Sequence, residues 1–96
     1  MKREVRITAQ ADLDLDRLVD FLVKASPAAA RKAGAKLRAA LVSLDELAER
    51  GRPSPEGYRE LVVPFGRRAY IVEYRVEAEC VIVTRIFHSL EDRSST

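Results

Sequence analysis

The chain has 96 residues, of which 47% are apolar and 33% charged. That length and mixture describe one small folded domain, residues 1–96, and exclude a disordered chain. With 17 cations against 15 anions the formal net charge is only +2, so the overall balance does not announce a nucleic-acid binder. Cys80 is the sole cysteine, which rules out an intrachain disulfide, and its apolar surroundings mark it as a buried thiol. No apolar run approaches the roughly 18 residues of a membrane span. The charged start, residues 1–8, lacks the apolar stretch of a secretory signal, so a reducing cytoplasm is the expected compartment.

Residues 4–8 alternate polar and apolar and predict a short first strand. Thr8 is placed to cap a helix over residues 9–25, in which Ala11, Leu15, Leu18 and Leu22 recur at helical spacing and mark the inward face. Asp12, Asp16 and Asp20 recur on another side and read as a solvated acidic face rather than a metal site. Ser26-Pro27 opens a second helix, because serine caps and proline tolerates the first helical position. That helix is expected over residues 27–50, ending at Gly51, with Ala30, Ala33, Leu37, Leu41, Leu44 and Ala48 inward. Its charges oppose the helix dipole: Arg31, Lys32, Lys36 and Arg38 come early, and Asp45, Glu46 and Glu49 come late. Residues 51–57 carry two prolines and two glycines and read as a loop.

Beyond that loop the period changes to two. Strands are predicted over residues 58–63, 67–76 and 79–88, separated by a turn at Pro64-Phe65-Gly66 and another near Glu77-Ala78. Residues 89–96 read as a mobile tail. The expected class is α+β, in the order β-α-α-β-β-β, with an antiparallel helical hairpin packed on one face of a small, mainly antiparallel sheet.

The order and particular residues resemble the RelE/ParE toxin superfamily of type II toxin–antitoxin systems. The resemblance rests on Tyr58-Arg59-Glu60-Leu61, on Tyr70-Ile71-Val72-Glu73-Tyr74-Arg75-Val76, and on Val81-Ile82-Val83-Thr84-Arg85-Ile86-Phe87-His88 followed by Glu91-Asp92. It extends to the alanine-rich second helix and covers nearly the whole chain. The ParE branch fits better, because the sheet half has no lysine and His88 is not followed by tyrosine, whereas RelE-type cleavage relies on such groups. A ParE-like chain is implied to inhibit DNA gyrase without catalysis and to form a hetero-oligomer with a cognate antitoxin. The alternative is a ribosome-dependent mRNA endoribonuclease, with Arg59, Arg68 and Arg85 holding phosphate and His88 acting as acid or base. In either case no cofactor is expected; one histidine cannot build a His-based metal site, and no phosphate-binding glycine motif is present.

The antitoxin tail is implied to wrap the helices and the sheet. The expected contacts are Leu15, Leu18, Leu22, Leu37 and Leu41 on the helices, with Tyr70, Val72 and Tyr74 on the sheet. Arg59, Arg85 and His88 are the expected contacts with the cellular target. A tight turn around Glu77-Ala78 would set Tyr70 opposite Arg85 and Val72 opposite Val83, with Arg68 on the same face. Those arginines could instead be structural, paired with Glu60 or Glu73. Both faces of the last two strands are apolar: Ala69, Ile71, Ile82 and Ile86 alternate with Tyr70, Val72, Tyr74, Val81, Val83 and Phe87. The helices can cover only one of them.

Overall fold

In the computed structural model, which describes residues 2–91, strand β1 (Glu4–Ile7) runs directly into helix α1 (Ala9–Ala25). The Thr8 hydroxyl accepts the Ala11 amide at 3.1 Å, satisfying one first-turn donor as expected. Ser26 does the same for Ala29 at 3.2 Å, and Pro27 opens helix α2 (Pro27–Ser43) where no amide is needed. Strands β2 (Arg52–Pro53), β3 (Arg59–Phe65), β4 (Arg68–Val76) and β5 (Cys80–His88) follow. The five strands form one mixed sheet in the order β1-β5-β4-β3-β2, with the two helices packed on it. This is the expected α+β arrangement: β3, β4 and β5 form an antiparallel meander, and β1 lies parallel to β5 at one edge. Residues 92–96 of the expected tail lie outside the described residues.

Small residues bring the helices close to the sheet. Ala11, Ala33 and Leu37 are fully buried against Val72, Tyr74, Val83 and Ile86. Cys80 is buried, as its apolar setting implied. Among the described residues no helix is long and apolar enough to cross a membrane.

Helix α2 ends seven residues earlier than its periodicity implies, at Ser43 rather than Arg50. The following carbonyls are taken by groups outside the helix. Arg3 N–H donates to the Asp45 carbonyl (2.7 Å), the Tyr74 hydroxyl to that of Ala48 (2.8 Å), and Arg59 to those of Glu49 (3.2 Å) and Gly51 (2.7 Å). Tertiary partners therefore unwind the last turns, although Leu44 and Ala48 stay buried. The loop expected over residues 51–57 contains the two-residue strand β2, which pairs Arg52 with Glu60.

Two differences alter the sheet. First, Pro64 and Phe65 belong to β3, and the hairpin turn is Gly66-Arg67 alone, since Phe65 pairs with Arg68. Gly66 takes φ +61°, which a two-residue hairpin of this kind needs at its first position. Second, the last hairpin is wider than a tight turn at Glu77-Ala78 and β5 carries a bulge at Thr84. Tyr74 pairs with Val83, yet Glu73 pairs with Arg85, so Thr84 has no partner across the ladder. The Thr84 hydroxyl donates to the Glu73 carbonyl and carboxylate, and its own carbonyl accepts from the Thr8 hydroxyl. The expected partners are thereby corrected: Tyr70 faces His88 rather than Arg85, and Val72 faces Ile86 rather than Val83. The bulge also exchanges two side chains between faces. Ile86 joins the core with Val72, while Phe87 lies on the opposite face beside Ile71.

The Tyr74 hydroxyl, fully buried, also accepts the Gly51 amide at 2.8 Å and so ties β4 to the unwound end of α2. A Cβ at residue 51 would stand 2.5 Å from that hydroxyl, which explains glycine there. Tyr74→Phe leaves a buried amide and a buried carbonyl unpaired, and is expected to cost about 2 kcal/mol in urea unfolding. Gly51→Ala is expected to destabilise as well, through steric displacement of the same ring.

Candidate functional site

The site forms where β1 runs out. β1 pairs with β5 only from Cys80 to Val83, and Thr8 N–H extends that pairing by donating to the Val83 carbonyl at 3.0 Å. From there the chain turns into α1, so the second half of β5 has an open edge with outward amides at Ile86 and His88. Buried amides without partners are costly, and two carboxylates supply them. Asp14, on the inward side of α1 and 1% exposed, accepts the Ile86 amide at 2.9 Å. Glu91 accepts the His88 amide at 3.0 Å.

Arginines balance both carboxylates. Arg85 holds Asp14 through Nε at 2.8 Å and a second nitrogen at 3.3 Å, and Gln10 adds a donor at 3.1 Å. Arg17 reaches Glu91 at 2.9 Å and Asp14 at 3.5 Å, linking the two acids. Burial pushes the Asp14 carboxyl up, but donation from Arg85, Ile86 and Gln10 outweighs it, and the group ionises below the usual carboxylate range. Glu91 follows the same pattern: burial raises it, and Arg17 with the His88 amide brings it below its ordinary value. The Asp14 bond in turn holds the Arg85 guanidinium above its usual value.

Next to this network lies a groove of about 600 Å³, lined by Arg17, Leu18, Phe21, Leu22, Tyr70, His88, Leu90 and Glu91. Phe21 is 73% exposed and Leu90 66% exposed, so two large apolar side chains stand together at this groove. The His88 ring meets Tyr70 edge-on with centroids 5.6 Å apart. His88 Nδ1 accepts the Leu90 amide at 3.2 Å, which assigns the proton of the neutral ring to Nε2.

The anticipated phosphate-binding groups do not converge. Arg85 is bound to Asp14 and lies 4.7 Å over the Phe87 ring. Arg59 donates to the Glu49 and Gly51 carbonyls and stands 3.9 Å from the Glu49 carboxylate. Arg68 is exposed beside the Gly66-Arg67 turn, six residues along β4 from the Tyr74 that Arg59 faces, or about 20 Å at strand rise. Arg59 and Arg85 thus both have acid partners: Glu49 stands beside Arg59, and Arg85 is held by Asp14, with Glu73 opposite it across the ladder adding a favourable charge. Glu60 pairs with Arg52.

Of the expected antitoxin contacts, Leu37, Leu41, Val72 and Tyr74 are core side chains, with Leu15 packed against them. Leu18, Leu22 and Tyr70 also pack in the core but reach the wall of the groove. Sequence reasoning passed over Asp14 and Arg17, took Glu91 only as part of the resemblance, and set Phe21 with the inward stripe of α1, whereas the ring is exposed at the groove. A clue to Asp14 was available: it stands three residues after Ala11 and four before Leu18, a carboxylate in the inward register.

Residues 5–93 match the family model described as the ParE toxin of the type II toxin–antitoxin system parDE. The chain belongs to the ParE toxin family. Among relatives of this ParE-family chain is Toxin RelE1 of Caulobacter vibrioides, 44% identical over 89 residues, which are 93% of this chain and 96% of the relative. Toxin RelE3 of the same organism is 34% identical over 95% of this chain and 99% of its own. A solved chromosomal ParDE toxin–antitoxin system from P. aeruginosa superimposes with a TM-score of 0.74 at 27% identity, covering 91% of this chain and 96% of that one. The ParE family fold thus carries, in this chain, an apolar groove beside a carboxylate–arginine edge clamp.

Asp14→Ala removes the acceptor of a buried amide and the partner of Arg85, and is expected to cost about 3 kcal/mol in denaturant unfolding. Both carboxyls ionise at lower pH when folded than when unfolded. Their stabilisation is therefore complete above the unfolded carboxylate range of about pH 4 and is lost as pH falls through the lower folded values. Acid unfolding curves should show this loss in the native chain and a shallower one in Asp14→Ala.

Proposed function

We propose that the chain is a toxin that inhibits DNA gyrase by binding it, without catalysing a reaction of its own, and that a cognate antitoxin silences it by occupying the groove beside α1. The observation that carries the non-catalytic half is the fate of the candidate phosphate-binding groups. Cleavage of RNA needs cations gathered around one phosphate and a free acid or base beside it. Here Arg85 is consumed by Asp14, Arg59 by two carbonyls, and Arg68 stands far from Arg59. The His88 ring is held against Tyr70, and its Nδ1 already accepts the Leu90 amide.

The groove supports the antitoxin half. An amphipathic segment could place apolar anchors against Phe21, Leu22 and Leu90 in about 600 Å³ of space, leaving charged groups at the rim with Arg17 and Glu91. Such an occupant would form the hetero-oligomer that toxin–antitoxin pairing implies and would keep Phe21 out of water.

Two assays in parallel test the reading. Purified chain is expected to inhibit ATP-dependent supercoiling by gyrase, and to leave messenger RNA on translating ribosomes uncut. Cleavage of ribosome-bound RNA that is abolished by His88→Ala would contradict it and establish the ribosome-dependent endoribonuclease instead. For the antitoxin half, Phe21→Glu is expected to weaken capture by the co-expressed neighbouring antitoxin at least tenfold, about 1.4 kcal/mol, while leaving the fold intact because the ring is exposed.

A further inference from the structure

The net charge of +2 conceals an uneven distribution. From Phe21 to Leu44 there is no acid, and α2 carries Arg31, Lys32, Lys36 and Arg38, all exposed. No acid occurs between Glu60 and Glu73 either, a stretch that includes the exposed Arg67 and Arg68 at the β3–β4 turn. The fold brings these two stretches together. The Lys36 ammonium donates to the Pro64 carbonyl at 2.8 Å, and Pro64 is two residues before Gly66-Arg67. Lys32 lies one helical turn from Lys36 on the same flank. Among the described residues none of Lys32, Lys36, Arg67 and Arg68 forms an ion pair, whereas the cations elsewhere on the sheet and on α1 largely do. Lys36 keeps two further N–H donors after the Pro64 contact. The placement also runs against local preference, since the first turn of α2 has no acid to meet the helix dipole.

We propose that this flank, Lys32 and Lys36 on α2 with Arg67 and Arg68 at the hairpin turn, binds the phosphate backbone of duplex DNA. Four cations without carboxylate partners, two of them forked guanidiniums, suit a row of phosphates rather than one anion. Phe65, opposite Arg68 across the hairpin, is half-buried against the core and Tyr70, which makes it a poor platform for stacked single-stranded bases and favours duplex backbone. The inference rests on the gyrase reading for its biological setting, where the toxin would hold the enzyme's DNA as well as the enzyme. Its test uses DNA alone, so the two can fail separately.

The measurement is fluorescence anisotropy of a labelled duplex of about 20 base pairs, titrated with the full chain over a range of salt. Four phosphate contacts give a slope of about −3.6 in log affinity against log salt, or about a hundredfold loss between about 50 and about 200 mM. The triple variant K32Q/R67Q/R68Q is expected to reduce the slope by about three. The double variant R31Q/R38Q, on the other flank of α2 by helical geometry, is expected to leave it unchanged. All five residues are exposed, and none forms an ion pair or side-chain hydrogen bond among the described residues, so folding is not at stake. Absence of binding at about 50 mM salt, or equal losses from both variants, overturns the proposal. So does tighter binding of single-stranded RNA than of duplex DNA at equal salt, which would also count against the gyrase reading. DNA binding with intact gyrase supercoiling would sustain this proposal and remove that reading.

Discussion

Half of the last strand has a neighbour on one side only, and the way the amides of its open edge are satisfied organises this side of the molecule. β1 accompanies β5 only as far as Val83, after which the chain must turn into α1. An amide left bare under a helix would cost on the order of 1–3 kcal/mol, so Ile86 needs an acceptor from the helix itself. Asp14 is that acceptor, and its buried charge in turn requires Arg85. Arg17 and Glu91 extend the same solution to the His88 amide and hold the chain beyond β5 against α1. The carboxylate–amide contact thus joins the core packing of Ala11 and Leu18 and the Thr8 cap in tying α1 to the open edge of β5, beside the groove.

Much of the architecture was legible in the sequence because local and tertiary preferences agree. Thr8, Ser26 and Pro27 fix the helix starts by cap chemistry, and the change from period 3.6 to period 2 after Gly57 separates helices from meander. What could not be read has a physical cause in each case. The end of α2 is decided by Tyr74, Arg59 and Arg3 capturing carbonyls from distant segments. The pairing of β4 with β5 depends on a bulge at Thr84, held by Thr8 and Glu73, which no alternation pattern reveals. That one extra residue carries Ile86 into the core and turns Arg85 toward Asp14. The expected Tyr70–Arg85 pair was therefore replaced by Tyr70–His88, and most of the expected antitoxin contacts proved to be core.

Family membership and side-chain chemistry answer different questions about this chain. Membership of the ParE toxin family defines the chain as the toxin of a type II pair, and relatives named as RelE toxins leave its cellular target to be decided on chemistry. Of the arginines that could have served a nuclease, Arg59 and Arg85 are engaged by carbonyls and carboxylates, while Arg68 stands exposed and apart from them at the hairpin turn. What remains available to partners divides into two unlike surfaces. One is the apolar groove with Phe21 and Leu90 at its rim; the other is the acid-free flank of α2 with the hairpin turn. An apolar partner segment and a phosphate backbone would be sorted between them by desolvation on one side and counterion release on the other.

Amide hydrogen exchange followed by NMR addresses the edge clamp most directly. If Asp14 holds the edge of β5, the Ile86 amide exchanges only through global unfolding in the native chain. In Asp14→Ala it loses protection selectively, while amides bonded across the β3–β4 ladder keep theirs relative to the variant's lowered stability. An Ile86 amide that exchanges freely in the native chain, or one whose protection in Asp14→Ala falls no further than that of β4, would contradict the account.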